Sequence, residues 1–212
     1  AEQSEPEPET LTRTDSYERR PHPETADSPG SPGAAAPIQR VPMGQRKYDF
    51  FINHCQNSGQ DQCANLAKLL RARGWTVWYD MSAEDLTEHG MEVGVSQSRN
   101  VLMFLSEGLM SRPFCLKEQR WGIKYGCKFV GIVEKDDRHG IGDFDKEKTA
   151  APADLKFLLD EVEFQPYQRR DYLVDAMVEQ IGKRGGCRLD AQQPKAALGS
   201  PVATAAEEPE PE

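Results

Sequence analysis

One helix-length segment, residues 113–125, carries a carboxylate on its aromatic face. Four of its residues recur at i, i+4, i+7 and i+11 and form one stripe, namely Phe114, Glu118, Trp121 and Tyr125. An unpaired carboxylate buried among aromatic rings costs several kcal/mol or takes up a proton. Glu118 must therefore have a hydrogen-bonding or charged partner, or belong to a functional site. It is the first candidate for a catalytic residue.

Two other interpretations of Glu118 follow from the same residues. Glu118 is an ordinary surface glutamate if the helix is rotated, or it pairs with Arg112 or Arg120. Structural ion pairs also draw carboxylates into apolar surroundings, so the spacing alone leaves a structural and a catalytic role open.

A regular alternation of strands and helices positions this segment. Four short apolar or β-branched runs predict buried strands at residues 48–52, 75–79, 101–105 and 129–133. A weaker fifth strand is predicted at 163–167, where Pro166 favours a sheet edge. We therefore predict an α/β fold with a flavodoxin-like, open, mainly parallel five-stranded sheet and helices on both faces. In such sheets ligands bind beyond the carboxyl ends of the strands.

Helical patterns separate these strands. The first has an apolar stripe within residues 63–70, begins with a capping box at 58–61 and closes at Gly74. Pro113 suits the first turn of the helix that carries Glu118. The remaining helices are predicted at 91–99, 153–162 and 171–183. The polar stretch 134–145 is predicted to be a solvated connector, since its acidic residues lack the spacing of a calcium-binding loop.

Composition separates the two ends of the chain from its middle. Of the 15 prolines, 12 lie outside residues 46–184, and the net charges of 1–45, 46–184 and 185–212 are −4, −2 and −3. Proline-rich acidic segments bury too little apolar surface to offset the entropy of ordering them. We predict a disordered Pro/Glu-rich tail at 1–45, one folded domain at 46–184 and a disordered acidic tail at 185–212.

Several kinds of chemistry are excluded because their motifs are missing. The chain has no G-x-x-x-x-G-K-[ST] loop, no G-x-G-x-x-G after the first strand and no G-x-S-x-G elbow. A phospho-acceptor receiver is disfavoured, since Asn53, His54 and Ser106 stand where that domain has acidic residues.

Five cysteines without a C-x-x-C pair and four scattered histidines predict neither a disulfide framework nor a metal site, and favour a reducing cytoplasm. No run of about 20 apolar residues predicts a membrane segment. We expect no cofactor and no nucleic-acid partner.

Five motifs follow one another in order across about residues 47–183. They are YDFFINH at 48–54, NSG at 57–59, WTVWYD at 75–80, SRNVLMFLS at 98–106 and FCLKE at 114–118. Leu86 and Gly90 fit the loop that follows the second strand. Together these features resemble a TIR domain, the Toll/interleukin-receptor module, and the resemblance implies the TIR fold.

In the enzymatic branch of that family, a catalytic glutamate follows an aromatic residue by four positions in this helix. That glutamate is Glu118 here, with Phe114 where tryptophan is usual, and Cys55 and Gln56 stand where an animal enzyme of the branch has basic residues. The resemblance implies that NAD is the substrate and that Glu118 stabilises an oxocarbenium-like transition state. The residues expected to contact the substrate are Phe114, Trp78, Trp121, His54 and Asn57. The aromatic ones are also explained as simple core residues.

The resemblance further implies that the loop at residues 80–90 packs TIR domains against one another and gates the site. Asp80, Leu86 and Gly90 are its expected assembly residues, and Gly90 is expected to adopt a backbone angle that a side chain forbids. The alternative for this loop is a solvated acidic connector.

Two functions stay open for the protein. One is an NAD hydrolase or cyclase that acts when self-assembled, and the other is a non-catalytic module that signals by homotypic contact. The expected partners are NAD and other TIR domains, in a homo-oligomer in the cytoplasm.

Overall fold

A five-stranded parallel sheet forms the centre of the fold. The computed structural model describes residues 37–83, 85 and 87–187. The strands are β1 (Tyr48–His54), β2 (Val77–Trp78), β3 (Ser98–Leu105), β4 (Lys128–Val133) and β5 (Phe164–Pro166). They pair in the order β2-β1-β3-β4-β5, and each pair is parallel. The predicted fold class is confirmed, with Pro166 at the edge of the sheet as expected.

Helices cover both faces of this sheet. They are α1 (Gln56–Ala72), α2 (Glu88–Ser96), α3 (Pro113–Tyr125), α4 (Phe144–Ala150), α5 (Leu158–Glu161) and α6 (Asp171–Gly185). Short 3-10 turns occupy Met43–Gln45, Asp80–Ser82 and Asp137–His139. Within the part of the chain that the structure describes, no helix combines the length and apolarity needed to cross a bilayer.

Two hydrophobic clusters hold the helices on the sheet. The first packs Leu66 of α1 and Ile181 of α6 against Phe50 and Ile52 of β1, and the second packs Val95 of α2 and other residues against the opposite face. Successive β1 residues serve different clusters because side chains alternate along a strand. This burial on both faces is what the continuous apolar runs predict.

Helix α3 follows the sequence prediction at both ends. Pro113 occupies the first turn, where its missing N–H removes no helical hydrogen bond. Gly126 ends the helix in the left-handed region, with φ 67°. The aromatic segment with Glu118 is therefore one continuous helix between β3 and β4.

Three predicted helix boundaries are wrong. Helix α1 begins at Gln56, and Ser58 lies inside it, where its Oγ hydrogen bonds with Ser106 Oγ at 2.8 Å instead of capping the helix. Helix α2 ends at Ser96, because the residues from Ser98 onward pair with β1. The helix predicted at 153–162 is shorter in the structure, where α5 spans Leu158–Glu161.

Helix α4 lies partly where a solvated connector is predicted. Asp143 caps it by accepting hydrogen bonds from the backbone N–H groups of Asp145 and Lys146. Glu147 faces inward and is 2% exposed. A cap and a buried carboxylate thus stabilise a short helix that has little apolar periodicity to reveal it.

The predicted tails fall mainly on residues 1–36 and 188–212, which lie outside the described residues. In the described part of the first segment, Ile38 packs against the second hydrophobic cluster. Arg46 is the first residue of the predicted folded domain. Its guanidinium is buried and donates to the carbonyl oxygen of Ser98 at 2.7 Å. At the other end, helix α6 continues to Gly185.

Candidate active site

The carboxyl group of Glu118 is buried between α3 and the end of β1. Glu118 is 8% exposed, and its Oε2 accepts a hydrogen bond from Asn53 Nδ2 at 2.7 Å. Asn53 is fixed in turn, because its Nδ2 also donates to the Cys115 carbonyl oxygen and its Oδ1 accepts from Gln119 Nε2, each at 3.1 Å. The acidic side chain is therefore held by a neutral amide rather than by a cation.

Burial dominates the electrostatics of Glu118. Desolvation raises the pKa of its carboxyl group to about 8, the hydrogen bond from Asn53 lowers it, and the negative charge of Asp80 raises it further. The group is thus mainly protonated at neutral pH in this arrangement. A carboxyl whose pKa is displaced so far, at the carboxyl ends of parallel strands, is a candidate catalytic group.

Both structural alternatives for Glu118 are wrong. Its burial rules out an ordinary surface glutamate. Arg120 binds Asp154 instead, with Nε and Oδ2 2.7 Å apart, and Arg112 forms no ion pair with any described residue.

His54 is the last residue of β1, and Asp80 begins the 3-10 turn that follows β2. The His54 ring packs at 5.3 Å from the Tyr79 ring, and its Nε2 is 4.0 Å from Asp80 Oδ1. Burial lowers the pKa of His54, although Asp80 opposes that effect. Gln56 Nε2 donates to the other carboxylate oxygen of Asp80 at 3.3 Å. Asn53, His54, Asp80 and Glu118 therefore form a polar group at the carboxyl ends of β1 and β2.

An open cleft of about 830 Å³ adjoins this group. It lies between the N-terminus of α1 and the loop that follows β3, at the point where the strand order reverses direction. Asn57, a predicted substrate contact, lines the cleft beside Cys55, Gln56 and Arg112. Among the described residues, the lining includes neither Glu118 nor His54.

The predicted aromatic contacts do not come together at one place. Phe114 is 52% exposed on α3, with Lys117 Nζ 5.3 Å from the ring centre. Trp121 is half-buried against the second hydrophobic cluster. Trp78 stacks on Phe51 with ring centroids 4.5 Å apart. The helical stripe is therefore split between solvent and core, and the roles of Phe114, Trp78 and Trp121 as substrate contacts stay predictions.

The loop at residues 80–90 begins with a 3-10 turn at Asp80 and leads into α2. Leu86 lies outside the described residues. Gly90 does not have a positive φ, so the expected backbone reason for this glycine is wrong. The reason is steric, since a Cβ on Gly90 would lie 2.6 Å from the carbonyl oxygen of Asp85. Thr87 completes the junction, because its Oγ1 accepts from the N–H of Gly90 at 3.1 Å.

Sequence reasoning missed two residues that shape this region. Asn53 ends an apolar run with an amide, and a polar residue at a strand's carboxyl end is the signal that could have identified it. Glu147 accepts the backbone N–H groups of Gly108 and Met110 at 2.7 and 2.8 Å and so fixes the loop that leads into α3. No local pattern signals that contact, because it joins segments about 40 residues apart.

A bacterial protein is similar to part of this chain. The 2′ cyclic ADP-D-ribose synthase BtTIR of Bacteroides thetaiotaomicron is 28% identical over 75 residues, which are 34% of this chain and 26% of the relative. This chain therefore spans about a quarter of the length of that relative.

Several solved structures are similar at low sequence identity. The TIR domain of the Toll-related receptor TRR-2 from Hydra magnipapillata is 12% identical, with 65% of this chain and 97% of that chain covered and a TM-score of 0.46. A metazoan TIR-STING receptor from C. gigas is 14% identical, with 68% and 41% covered and a TM-score of 0.45.

The family assignment comes from a model of the TIR domain. That model matches residues 50–169, which is more than half of the chain and extends from β1 past β5. The matched region contains Asn53, His54, Asp80 and Glu118. The chain belongs to the TIR domain family.

Proposed function

We propose that this TIR domain cleaves the nicotinamide–ribose bond of NAD when it self-assembles, with Glu118 as the catalytic carboxylate. The observation that carries the proposal is the buried carboxyl group of Glu118, held by Asn53 at the carboxyl ends of the parallel strands. The name of the bacterial relative, a cyclic ADP-ribose synthase, supports NAD as the substrate.

Cleavage of the nicotinamide–ribose bond requires little from the protein beyond a negative charge and correct positioning of the substrate. Nicotinamide leaves as a neutral base from a cationic pyridinium, so no general acid is needed. The ribose carbon becomes positively charged in the transition state, and an ionised Glu118 stabilises that charge strongly because water is excluded around it. The cationic pyridinium of the substrate also favours the ionised carboxylate, which offsets the effect of burial on its pKa.

The other predicted contacts divide between the buried group and the cleft. His54 stands beside Asp80 at the end of β1, whereas Asn57 lines the cleft at the start of α1. We assign the ribose and nicotinamide to the first region and the rest of the dinucleotide to the second. Phe114, Trp78 and Trp121 are the rings available for stacking.

Access to Glu118 requires a rearrangement, because Glu118 and His54 are both covered. The segment that starts at Asp80 is the element we propose to move, and a neighbouring copy of the domain would hold it in the open state. Assembly and catalysis are then linked in a homo-oligomer.

The five cysteines are free, which fits the cytoplasmic location that we propose.

The second candidate is a non-catalytic module that signals by homotypic contact between TIR domains. The coverage of Glu118 favours it, as does the absence of basic side chains at Cys55 and Gln56. Under this alternative, Glu118 is a protonated core residue, and its only role is to bind Asn53.

The test is incubation of concentrated purified protein with NAD, followed by chromatography of released nicotinamide. We expect release by the unaltered protein and by Glu179→Gln, a change on the exposed face of α6. We expect release by Glu118→Gln to be lower by about a hundredfold or more. Equal release by both variants would remove Glu118 from the mechanism, and no release at any concentration would favour the interaction module.

A further inference from the structure

His54 has a buried ring nitrogen without a hydrogen-bond partner. Its side chain is 3% exposed, and Nε2 meets no donor or acceptor within hydrogen-bonding distance among the described residues. Asp80 Oδ1, at 4.0 Å, is too far away for a direct hydrogen bond. An unsatisfied buried polar atom costs about 1–3 kcal/mol, so it requires an explanation such as a ligand that supplies the missing partner.

The surroundings of His54 keep its ring neutral and place an anion where a positive charge would form. Burial lowers the pKa of the ring, whereas Asp80 and hydrogen bonding with the Ile52 backbone raise it. In the tautomer that carries its proton on Nδ1, the lone pair lies on Nε2. A neutral imidazole of this kind accepts a proton, and Asp80 stabilises the imidazolium that results.

His54 and Glu118 flank the end of β1 from opposite faces of the sheet. Asn53, which binds Glu118, and His54 are consecutive strand residues, so their side chains point to opposite faces. Tyr79, against which the His54 ring packs, belongs to the hydrophobic cluster on the α1 face. Helix α3 contacts the same strand end, since Cys115 Sγ donates to the His54 carbonyl oxygen at 3.2 Å. A ribose seated over the end of β1 would meet a carboxylate on one side and an imidazole on the other.

We propose, on the basis of the NAD cleavage proposed above, that His54 is the catalytic base that activates the oxygen nucleophile. The bond between ribose C1′ and the nicotinamide nitrogen breaks, and its electron pair leaves on nicotinamide. A water oxygen bonds to C1′ while its proton moves to Nε2 of His54 and then to solvent. A hydroxyl group of the substrate that replaces water loses its proton in the same way and gives a cyclic product.

Exchange of nicotinamide provides a reaction that does not need this base. Free nicotinamide attacks C1′ through a ring nitrogen that has no proton to lose, which is the reverse of the cleavage step. Glu118 serves both reactions, because both pass through the same positively charged ribose. The ratio of hydrolysis to exchange therefore reports on His54 separately from the binding of NAD and from Glu118.

The experiment measures both reactions with the full chain, using NAD and isotope-labelled nicotinamide. His54→Gln retains a polar side chain that cannot take up a proton. We expect it to lower the formation of linear and cyclic ADP-ribose by about a hundredfold while incorporation of label into NAD stays within about threefold. Glu118→Gln should lower both rates together. Equal losses in both reactions for His54→Gln, or hydrolysis at the unaltered rate, would overturn the assignment.

A second variant keeps the test valid if His54→Gln does not fold, as judged from its thermal midpoint. Asp80→Asn removes the charge that stabilises the imidazolium and should lower the ratio of hydrolysis to exchange by about tenfold. An unchanged ratio in that variant would contradict the role of His54. Unaltered protein that neither releases nor exchanges nicotinamide would instead overturn the proposed function, and the assignment of a base with it.

Discussion

Asn53 donates its side-chain amide to Glu118 at 2.7 Å, so the buried carboxyl group has a neutral partner. The second buried glutamate at the strand ends, Glu134, shows the contrast. It binds the guanidinium of Arg169, with 3.0 Å between Nη1 and Oε1. Burial raises the pKa of Glu134, but hydrogen bonds from Arg169, the Asp136 backbone N–H and Gln62 together hold it below the usual value. The pKa of Glu118 is raised to about 8. The fold therefore neutralises Glu134 as a structural ion pair and leaves Glu118 without a cation, where a cationic substrate would supply one.

The first prediction concerns catalysis by Glu118. Glu118→Gln should lower NAD turnover by about a hundredfold or more, on the scale of losing one electrostatic stabiliser. The fold should be retained at neutral pH, because glutamine resembles the protonated side chain and still accepts from Asn53. Turnover is measured by nicotinamide release and the fold by the thermal midpoint. A variant that keeps most of its turnover would contradict the assignment.

The second prediction concerns the dependence of stability on pH. An acid whose pKa is raised on folding binds more protons in the folded state, so its stabilising effect is complete below the unfolded pKa and is lost as pH rises. For Glu118 the window extends from the ordinary glutamate pKa of 4.5 to about 8. The free energy of unfolding should fall across this window by up to about 1.4 kcal/mol per pH unit more in the unaltered protein than in Glu118→Gln.

Denaturant unfolding of both proteins at several pH values between 5 and 8 checks this slope. His54 acts in the opposite direction, because its pKa is lowered on folding. That contribution is present in both proteins and cancels in the comparison. Parallel curves for the two proteins would show that Glu118 is ionised in the folded state.

Strands β1 to β4 were predictable because they are largely buried on both faces. Phe50 and Phe51 point in opposite directions and are both fully buried. A continuous apolar run in the sequence predicts such a strand. Helix α4 was not predictable in this way. Its inward residue is Glu147, whose partners are backbone N–H groups of a distant loop, so tertiary contact replaces the apolar stripe that sequence patterns detect.

The candidate site was predictable in part for a similar reason. A charge within an aromatic stripe identified Glu118, but its partner depends on which β1 side chain faces α3. That choice is fixed by strand register and helix rotation, which spacing within one helix does not determine. The ring of Trp78 illustrates the same limit, since its stacking on Phe51 joins two different strands.

The third prediction concerns the loop between β3 and α3. Glu147→Gln keeps one acceptor for the backbone N–H groups of Gly108 and Met110 and replaces the other with a donor. We expect a loss of about 1–3 kcal/mol in the free energy of unfolding, because a buried N–H loses its partner. Glu107→Gln, an exposed change in the same loop, should stay within about 0.5 kcal/mol. Similar small effects of both variants would show that the carboxylate of Glu147 does not fix the loop.

The last prediction is that NAD cleavage depends on self-association through the loop at residues 80–90. If a neighbouring copy holds this segment away from Glu118, specific activity should rise with protein concentration by mass action. Gly90→Arg should reduce both assembly and cleavage, since even a Cβ at this position meets the carbonyl oxygen of Asp85 and must displace the loop. Gly44→Arg, where a Cβ has open space, is the matched control and should change neither. Sedimentation measures assembly, nicotinamide release measures cleavage and circular dichroism checks the fold. Specific activity that stays constant over about a hundredfold range of concentration would contradict the link, as would normal cleavage by monomeric Gly90→Arg.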